Sequence, residues 1–433
     1  MPATSFAYRT LVLAARALLP VAAWADPKLG RAHRARAGVL DRARAWGATR
    51  RDPARPLAWF HAPSVGEGLQ AEAVMLALRA ARPGWQLAYT HFSSSAEALA
   101  RRVPADFTDY LPYDAPGAAE AMLDALRPTA LVFTKLDLWP ELATRAAARG
   151  VKVILVAGTV RPGSGRLTWP ARALLEPGYA ALSAAAAIDP ADAVRLASLG
   201  ARAERVTVSG DPRFDSVDAK VAAVAADDPL LTFGHGAPTL VAGSTWVNDE
   251  EILLAAFARL RADHPEARLI LVPHEPGREH LARLDASAKR LALPHPVRLS
   301  AATAPTSLLV VDKVGVLATL YGAGTMAYVG GGYRRAGLHS VLEPAAWGLP
   351  LAMGPRWRES RDAGLLRDAG AAAGLPELNE GSDPVAVLHR LWAGWIDDPA
   401  AREAAGRKAR AVVVANLGAS VRCAELVVRT VEG

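Results

Sequence analysis

A chain of 433 residues, 51% hydrophobic and 21% charged, is long enough for two or three domains with sizeable cores and too apolar for extended disorder. Its single cysteine, Cys423, excludes an internal disulfide and a cysteine-based metal centre, and the ten histidines form no His-Glu-x-x-His helix or tight cluster, so no protein-bound metal is expected. The net charge of +7 is mostly arginine; with no zinc-finger spacing, RNA-binding aromatic signature or basic zipper, it fits an anionic membrane surface or a generally arginine-rich composition, and no nucleic acid partner is expected.

Phe6 to Trp24 is mostly apolar, but Arg9 and Arg16 interrupt it and Pro20 would kink a helix. A spanning helix wants about 20 apolar residues without central charge. An interfacial helix whose arginines snorkel to headgroups suits the pattern better, and the basic stretch Lys28, Arg31, Arg34, Arg36, Arg42 and Arg44 would then face anionic lipid. Residues 1–25 are therefore expected to form a membrane-associated segment.

From Pro56 onward, short apolar runs alternate with helical stretches. Pro56–Ala62, Leu87–His91, Ala130–Thr134 and Val151–Ala157 read as strands, with helices at Leu69–Ala81, Ala115–Leu126 and Glu141–Arg149 between them. That alternation predicts a parallel sheet with crossover helices. Residues 216–238 break the pattern and read as a linker. It restarts at Thr239–Ala242, Arg268–Val272, Leu308–Val311, Met326–Val329 and Pro350–Met353, and two helical stretches, 385–396 and 400–428, end the chain. The expectation is an α/β protein of two doubly wound domains facing a cleft, 26–215 and 239–433, the second closed by the terminal helices, of which the last packs across the hinge.

In such sheets ligands bind beyond the carboxyl ends of the strands. Ser64-Val65-Gly66-Glu67 is the turn from the first strand into a helix. Gly66 lets a substrate approach the backbone, and Glu67 could abstract a proton from a hydroxyl. The alternative is a capping box, with Ser64 as N-cap and Glu67 three residues on. Asp137, Arg161 and Arg213 lie in three further loops at the same expected sheet edge, where ordinary solvated loops are equally compatible. In the second domain, the Gly243-Ser244-Thr245 turn would suit a phosphate, though Ser and Thr also serve as N-caps. His274 and Arg278 could meet an anion or be solvated. Gly330, Gly331 and Gly332 would leave bare backbone for a ligand. His339 and Ser340 would open a helix, with Glu343 a turn later placed to bind ribose hydroxyls.

Together, and in this order, these segments resemble the Kdo transferases of lipopolysaccharide biosynthesis, which add 3-deoxy-D-manno-octulosonic acid to lipid A precursors. The resemblance spans nearly the whole chain. The family's Ser-Val-Gly-Glu stands at 64–67, and its Glu-x-Glu-Leu-Trp-Pro reads Lys135-Leu136-Asp137-Leu138-Trp139-Pro140. Its Asn-Ala-Arg-x-Ser keeps only Arg161, and its Gly-Asn-x-Lys-Phe-Asp reads Gly210-Asp211-Pro212-Arg213-Phe214-Asp215. Its Gly-Gly-His-Asn-x-x-Glu-Pro reads Gly337-Leu338-His339-Ser340-Val341-Leu342-Glu343-Pro344, and Pro273-His274-Glu275-Pro276 replaces the usual Pro-Arg-His-Pro.

The resemblance implies two Rossmann-like domains of the GT-B glycosyltransferase type, at the cytoplasmic face of the inner membrane. It implies a CMP-Kdo donor, a lipid A precursor as acceptor, inversion at the anomeric carbon, and no cofactor or metal. Glu67 would be the base. Ser64, Gly66, Asp137, Arg161 and Arg213 would serve the acceptor and anionic groups. Ser244, Thr245, His274, Arg278, Gly330–Gly332, His339, Ser340 and Glu343 would serve the donor. The rival readings are another two-domain sugar-nucleotide enzyme (an epimerase or a uridine-donor transferase) and a membrane-associated binding homologue with altered chemistry.

Overall fold

A computed structural model describes residues 4–379 and 381–433, so the first three residues of the expected membrane segment lie outside the described residues. The chain forms two compact units, 1–216 with 416–433, and 217–415. The first holds β1 (Leu57–His61), β2 (Gln86–His91), β3 (Phe107–Tyr110), β4 (Ala130–Thr134), β5 (Lys152–Gly158), β6 (Ala184–Ala187) and β7 (Val206–Val208). They form one parallel sheet in the order β3-β2-β1-β4-β5-β6-β7. The apolar runs are continuous because both faces are covered. Alternate residues divide between two cores: Leu57, Trp59, Leu131 and Phe133 on one face, Ala58, Phe60, Val132 and Ile154 on the other.

The second unit repeats the plan with β8 (Thr239–Thr245), β9 (Arg268–Pro273), β10 (Val297–Arg298), β11 (Leu308–Val310), β12 (Met326–Val329), β13 (Leu351–Met353) and β14 (Ala372–Gly374). These are parallel in the order β10-β11-β9-β8-β12-β13-β14. Each sheet reverses its winding once, between β1 and β4 in the first and between β8 and β12 in the second. Such switch points open a crevice at the carboxyl edge.

Two expected boundaries are corrected. The stretch 216–238 is not a bare linker: the helix Pro212–Ala222 runs into it, and the turn Pro229–Gly234 buries Phe233. The terminal helices do not all close the second domain. The last one, Ala419–Glu432, places Cys423, Ala424, Val427 and Val428 in the core of the first unit beside Phe60, Val74 and Ile154. Asp215 fixes its start, accepting from the Gly418 and Ser420 amides at 2.6 and 2.7 Å.

The amino-terminal expectation also changes. Phe6–Ala25 is a helix with Pro20 inside it, but among the described residues only Pro399–Glu432 is long and apolar enough to cross a membrane by length and composition. An amino-terminal span is therefore not supported; Arg9 and Arg16 dilute the apolar run. Nor does Pro399–Glu432 read as a span, because it breaks at Gly418, in the left-handed region (φ 85°), and its second half is core. The beginning of the amino-terminal helix is tied down: Tyr8 donates to Asp114 at 2.7 Å, Arg9 pairs with Glu141 at 2.9 Å, and Thr4 bonds the same glutamate. Leu11, Leu13, Leu18, Val21 and Trp24 are exposed.

Candidate active site

At the switch point of the first unit, the helix Val65–Ala81 starts directly after β1, with Ser64 as its N-cap residue and Glu67 in its first turn. The capping box does not form: Ser64 makes no side-chain cap bond, and its hydroxyl donates to the Glu67 carboxylate instead. The other carboxylate oxygen accepts from Lys135 Nζ at 2.9 Å. Glu67 is thus held from the loops after both β1 and β4. Burial raises its pKa, but the Ser64 hydrogen bond and the Lys135 charge outweigh this and leave it below the usual glutamate value. The carboxylate is ionised at neutral pH and able to accept a proton. Gly66 is exposed, and a β-carbon there would meet only Ser64 Oγ at 4.0 Å, so packing does not demand a glycine.

Behind this turn lies a neutral, buried support. His61 Nε2 accepts from Trp139 Nε1 at 3.0 Å, which places the ring proton on Nδ1, 3.1 Å from Thr90 Oγ1. Burial pushes the His61 pKa down to about 3. Two of the other expected residues of this unit are engaged locally. Asp137 pairs with Arg166 at 3.0 Å, a partner that sequence reasoning missed. Arg213 pairs with the buried Asp211 at 2.6 Å, and Asp211 also accepts from Gln70, one turn beyond Glu67. Arg161 is exposed on the loop after β5.

At the switch point of the second unit, the structure brings His274 and His339 together, ring centroids 4.5 Å apart, and adds Trp246, which stacks on His274 at 4.7 Å. Trp246 Nε1 donates to His339 Nε2 at 3.0 Å, and Arg334 lies over the indole at 3.5 Å. Burial, with His274 and Arg334 nearby, lowers the His339 pKa to about 4, so its ring is neutral. Trp246 and Arg334 were not anticipated, although an aromatic directly after Gly-Ser-Thr was a usable signal. Asp249 underlies the stack, accepting from the Trp246 and Gly331 amides at 3.0 and 2.9 Å and from Tyr328 at 2.8 Å.

Several donor-side expectations are corrected here. Thr245 is fully buried and spends its hydroxyl on Glu250 at 2.8 Å, so it is not free for a phosphate; Ser244 is half-buried in the left-handed region (φ 54°). Gly330–Gly332 are buried rather than bare. A β-carbon on Gly330 would come within 2.3 Å of Ser244 O, and one on Gly332 within 2.6 Å of Gly354 Cα, so these glycines let neighbouring backbones close up. His339 and Ser340 precede the helix, which is only Leu342–Ala346. Ser340 is exposed, and Glu343 pairs with Lys220 at 2.8 Å. Arg278 is exposed at the first residue of the helix Arg278–Arg290. Among the described residues, no group of three or more His, Cys, Asp or Glu could hold a metal ion.

Residues 33–216 match the family described as 3-deoxy-D-manno-octulosonic-acid transferase (kdotransferase). The chain is 31% identical over 385 residues to the 3-deoxy-D-manno-octulosonic acid transferase of Bordetella pertussis, covering 84% of this chain and 85% of that protein. It is 26% identical to the enzyme of that name from Haemophilus influenzae, over 85% and 86% of the two. Among solved structures, the UDP-GlcNAc 2-epimerase of Neisseria meningitidis superposes with a TM-score of 0.60 over 87% of this chain and 99% of that one, at 12% identity, a likeness of fold alone.

Proposed function

Since the chain belongs to the 3-deoxy-D-manno-octulosonic acid (Kdo) transferases and is a glycosyltransferase of lipopolysaccharide synthesis, we propose that Glu67 is its catalytic base and that it moves Kdo from CMP-Kdo to a lipid A precursor. The acceptor hydroxyl gives its proton to Glu67 as its oxygen attacks the anomeric carbon. The bond from that carbon to the phosphate oxygen breaks on the opposite face, its electron pair leaves with cytidine monophosphate, and the centre inverts. The observation that carries this reading is an ionised, mostly covered carboxylate at the switch point of the first unit, freed from helix capping.

In the second unit, the stack of Trp246, His274 and His339, with Arg334 and Arg278, would receive the nucleotide and its phosphate. The neutral His339 ring can stack or accept hydrogen bonds without repelling the cationic arginines. Glu343 would exchange Lys220 for the ribose hydroxyls. Ser340 is the polar group on the approach to that helix. Arg161, and Arg213 on its Asp211 support, would meet anionic groups of the substrates, and Asp137 would hold Arg166 in the same role.

Attachment to the cytoplasmic face of the inner membrane would come from the amino-terminal helix lying at the surface. Phe6 is 86% and Trp24 90% exposed on it, and exposed apolar side chains of this kind favour the headgroup boundary. Deleting residues 1–25 should reduce sedimentation with anionic liposomes across a salt series; equal partitioning would remove the helix from this role. For the reaction itself, the test is mass spectrometry of product formed from CMP-Kdo and a tetra-acylated lipid A precursor. Turnover with a uridine-activated sugar instead would favour the epimerase-like or uridine-donor reading.

A further inference from the structure

Lys135 stands where the family motif carries an acid, and the reaction above gives it no task of its own. It closes β4 with its backbone in the left-handed region (φ 66°), a conformation that a residue with a β-carbon seldom adopts unless its surroundings hold it there. The turn is pinned by its amide, which donates to Val156 O at 2.9 Å. From it the side chain crosses to the neighbouring loop and reaches Glu67 Oε1 at 2.9 Å, while Ser64 holds Oε2. The ammonium keeps one side in water, at 41% side-chain exposure, whereas Glu67 is largely covered at 15%.

We propose that Lys135 is a positioning residue of the transfer reaction: it fixes the Glu67 carboxylate in one orientation for the incoming hydroxyl and sets a positive charge beside it. This rests on Glu67 being the base. Ser64 and Lys135 anchor one oxygen each and the Glu67 amide adds a third hydrogen bond, so the carboxylate keeps accepting capacity, and the left-handed turn at Lys135 sets where it points. The other titratable groups near Glu67 cannot stand in for Lys135. Tyr89, pushed up by burial with Glu72 and Glu67 nearby, stays neutral, and Glu72 is itself an acid, tied to Arg102 at 3.3 Å. Opposing effects act on Glu67: burial favours the protonated form, and Ser64 and Lys135 favour the carboxylate.

The test is the pH dependence of kcat/KM for Lys135→Arg, Lys135→Met and Lys135→Glu in the full-length protein, with CMP-Kdo and detergent-dispersed lipid A precursor. A base works deprotonated, so a lowered pKa carries activity to lower pH, and losing the cation must move the acid limb upward. The Arg variant should keep the limb where it is, the Met variant should shift it to higher pH, and the Glu variant should shift it furthest. Loss of orientation should also cost the Met variant about tenfold to 10²-fold in kcat on the plateau. Circular dichroism melting should show all three folded, since the side chain is half in solvent. A limb that coincides in the Met variant and the parent overturns the proposal. Glu67→Gln separates the two levels: activity retained there sinks the base assignment itself, whereas an inert Gln variant with an unmoved Met limb sinks only the role of Lys135.

Discussion

The two switch points share a plan and use it in opposite ways. Each has a strand running into a helix, with an N-cap residue (Ser64, Trp246) and an acid three residues on (Glu67, Asp249). In the second unit that acid is buried and works for the fold, accepting from two amides and a tyrosine hydroxyl. In the first, the acid is held by a serine, a lysine and its own amide, with no bond to the N-cap amide. Burial pushes Asp249 upward, and its hydrogen bonds do not fully offset this; burial also pushes on Glu67, but the Ser64 hydrogen bond and the Lys135 charge outweigh it and leave Glu67 below the usual range. Local sequence thus supplies an acid at a helix start, and the loop from the neighbouring strand decides whether it caps the helix or pairs with a cation.

The sharpest way to break this contrast is to neutralise each acid. Glu67→Gln is expected to lower turnover by about 10²–10⁴ or more, the usual cost of losing a general base, with the unfolding midpoint unchanged. Turnover near that of the parent would make both acids structural. Asp249→Ala should do the reverse. It leaves the Trp246 and Gly331 amides and the Tyr328 hydroxyl without their acceptor, and each stranded donor costs about 1–3 kcal/mol, so denaturant unfolding should show a loss of roughly 3 kcal/mol or more. Unchanged stability would deny Asp249 its role as a cap.

Glu343 tests whether the second unit holds a nucleotide at all. Replacing it with alanine should weaken cytidine nucleotide binding in calorimetry by about 1.5–3 kcal/mol, the range for charged hydrogen bonds. Unaltered affinity would confine Glu343 to its Lys220 pair.

The last test concerns the support of the first site. Burial lowers the folded pKa of His61 to about 3, far below the ordinary imidazole value of 6.5. Between those values the unfolded chain binds a proton that the folded one does not. The stabilising contribution is therefore complete above about pH 6.5 and is lost as pH falls towards 3, at about 1.4 kcal/mol per pH unit. Unfolding curves for His61→Gln should be flatter over that window by this slope; parallel curves would show that His61 is not the titrating group.

Much of the architecture was legible because strands covered on both faces must be apolar throughout. β1, β4 and β12 stand out as such runs between helical stretches. Strands towards the sheet edges were not legible: Ala184–Ala187 has no β-branched residue, and Val206–Val208 and Val297–Arg298 are too short to show a period. The Ser64–Glu67 turn announced itself, since strand, glycine and acid are contiguous in the chain. Neither the Asp137–Arg166 pair nor the Trp246 stack could be read that way, because their partners are brought together only by folding.

The sequence by itself determined the central strands and the helices between them, and that a carboxylate would stand at the first helix start after β1. Period and turn chemistry act over a few residues, and that information is local. Tertiary structure decided the rest: that Lys135 and Ser64 claim Glu67 while backbone amides claim Asp249, that the triple glycine serves packing, and that the last helix completes the core of the first unit. Each of these depends on which distant groups arrive within hydrogen-bonding or van der Waals distance, and no window along the chain contains both partners.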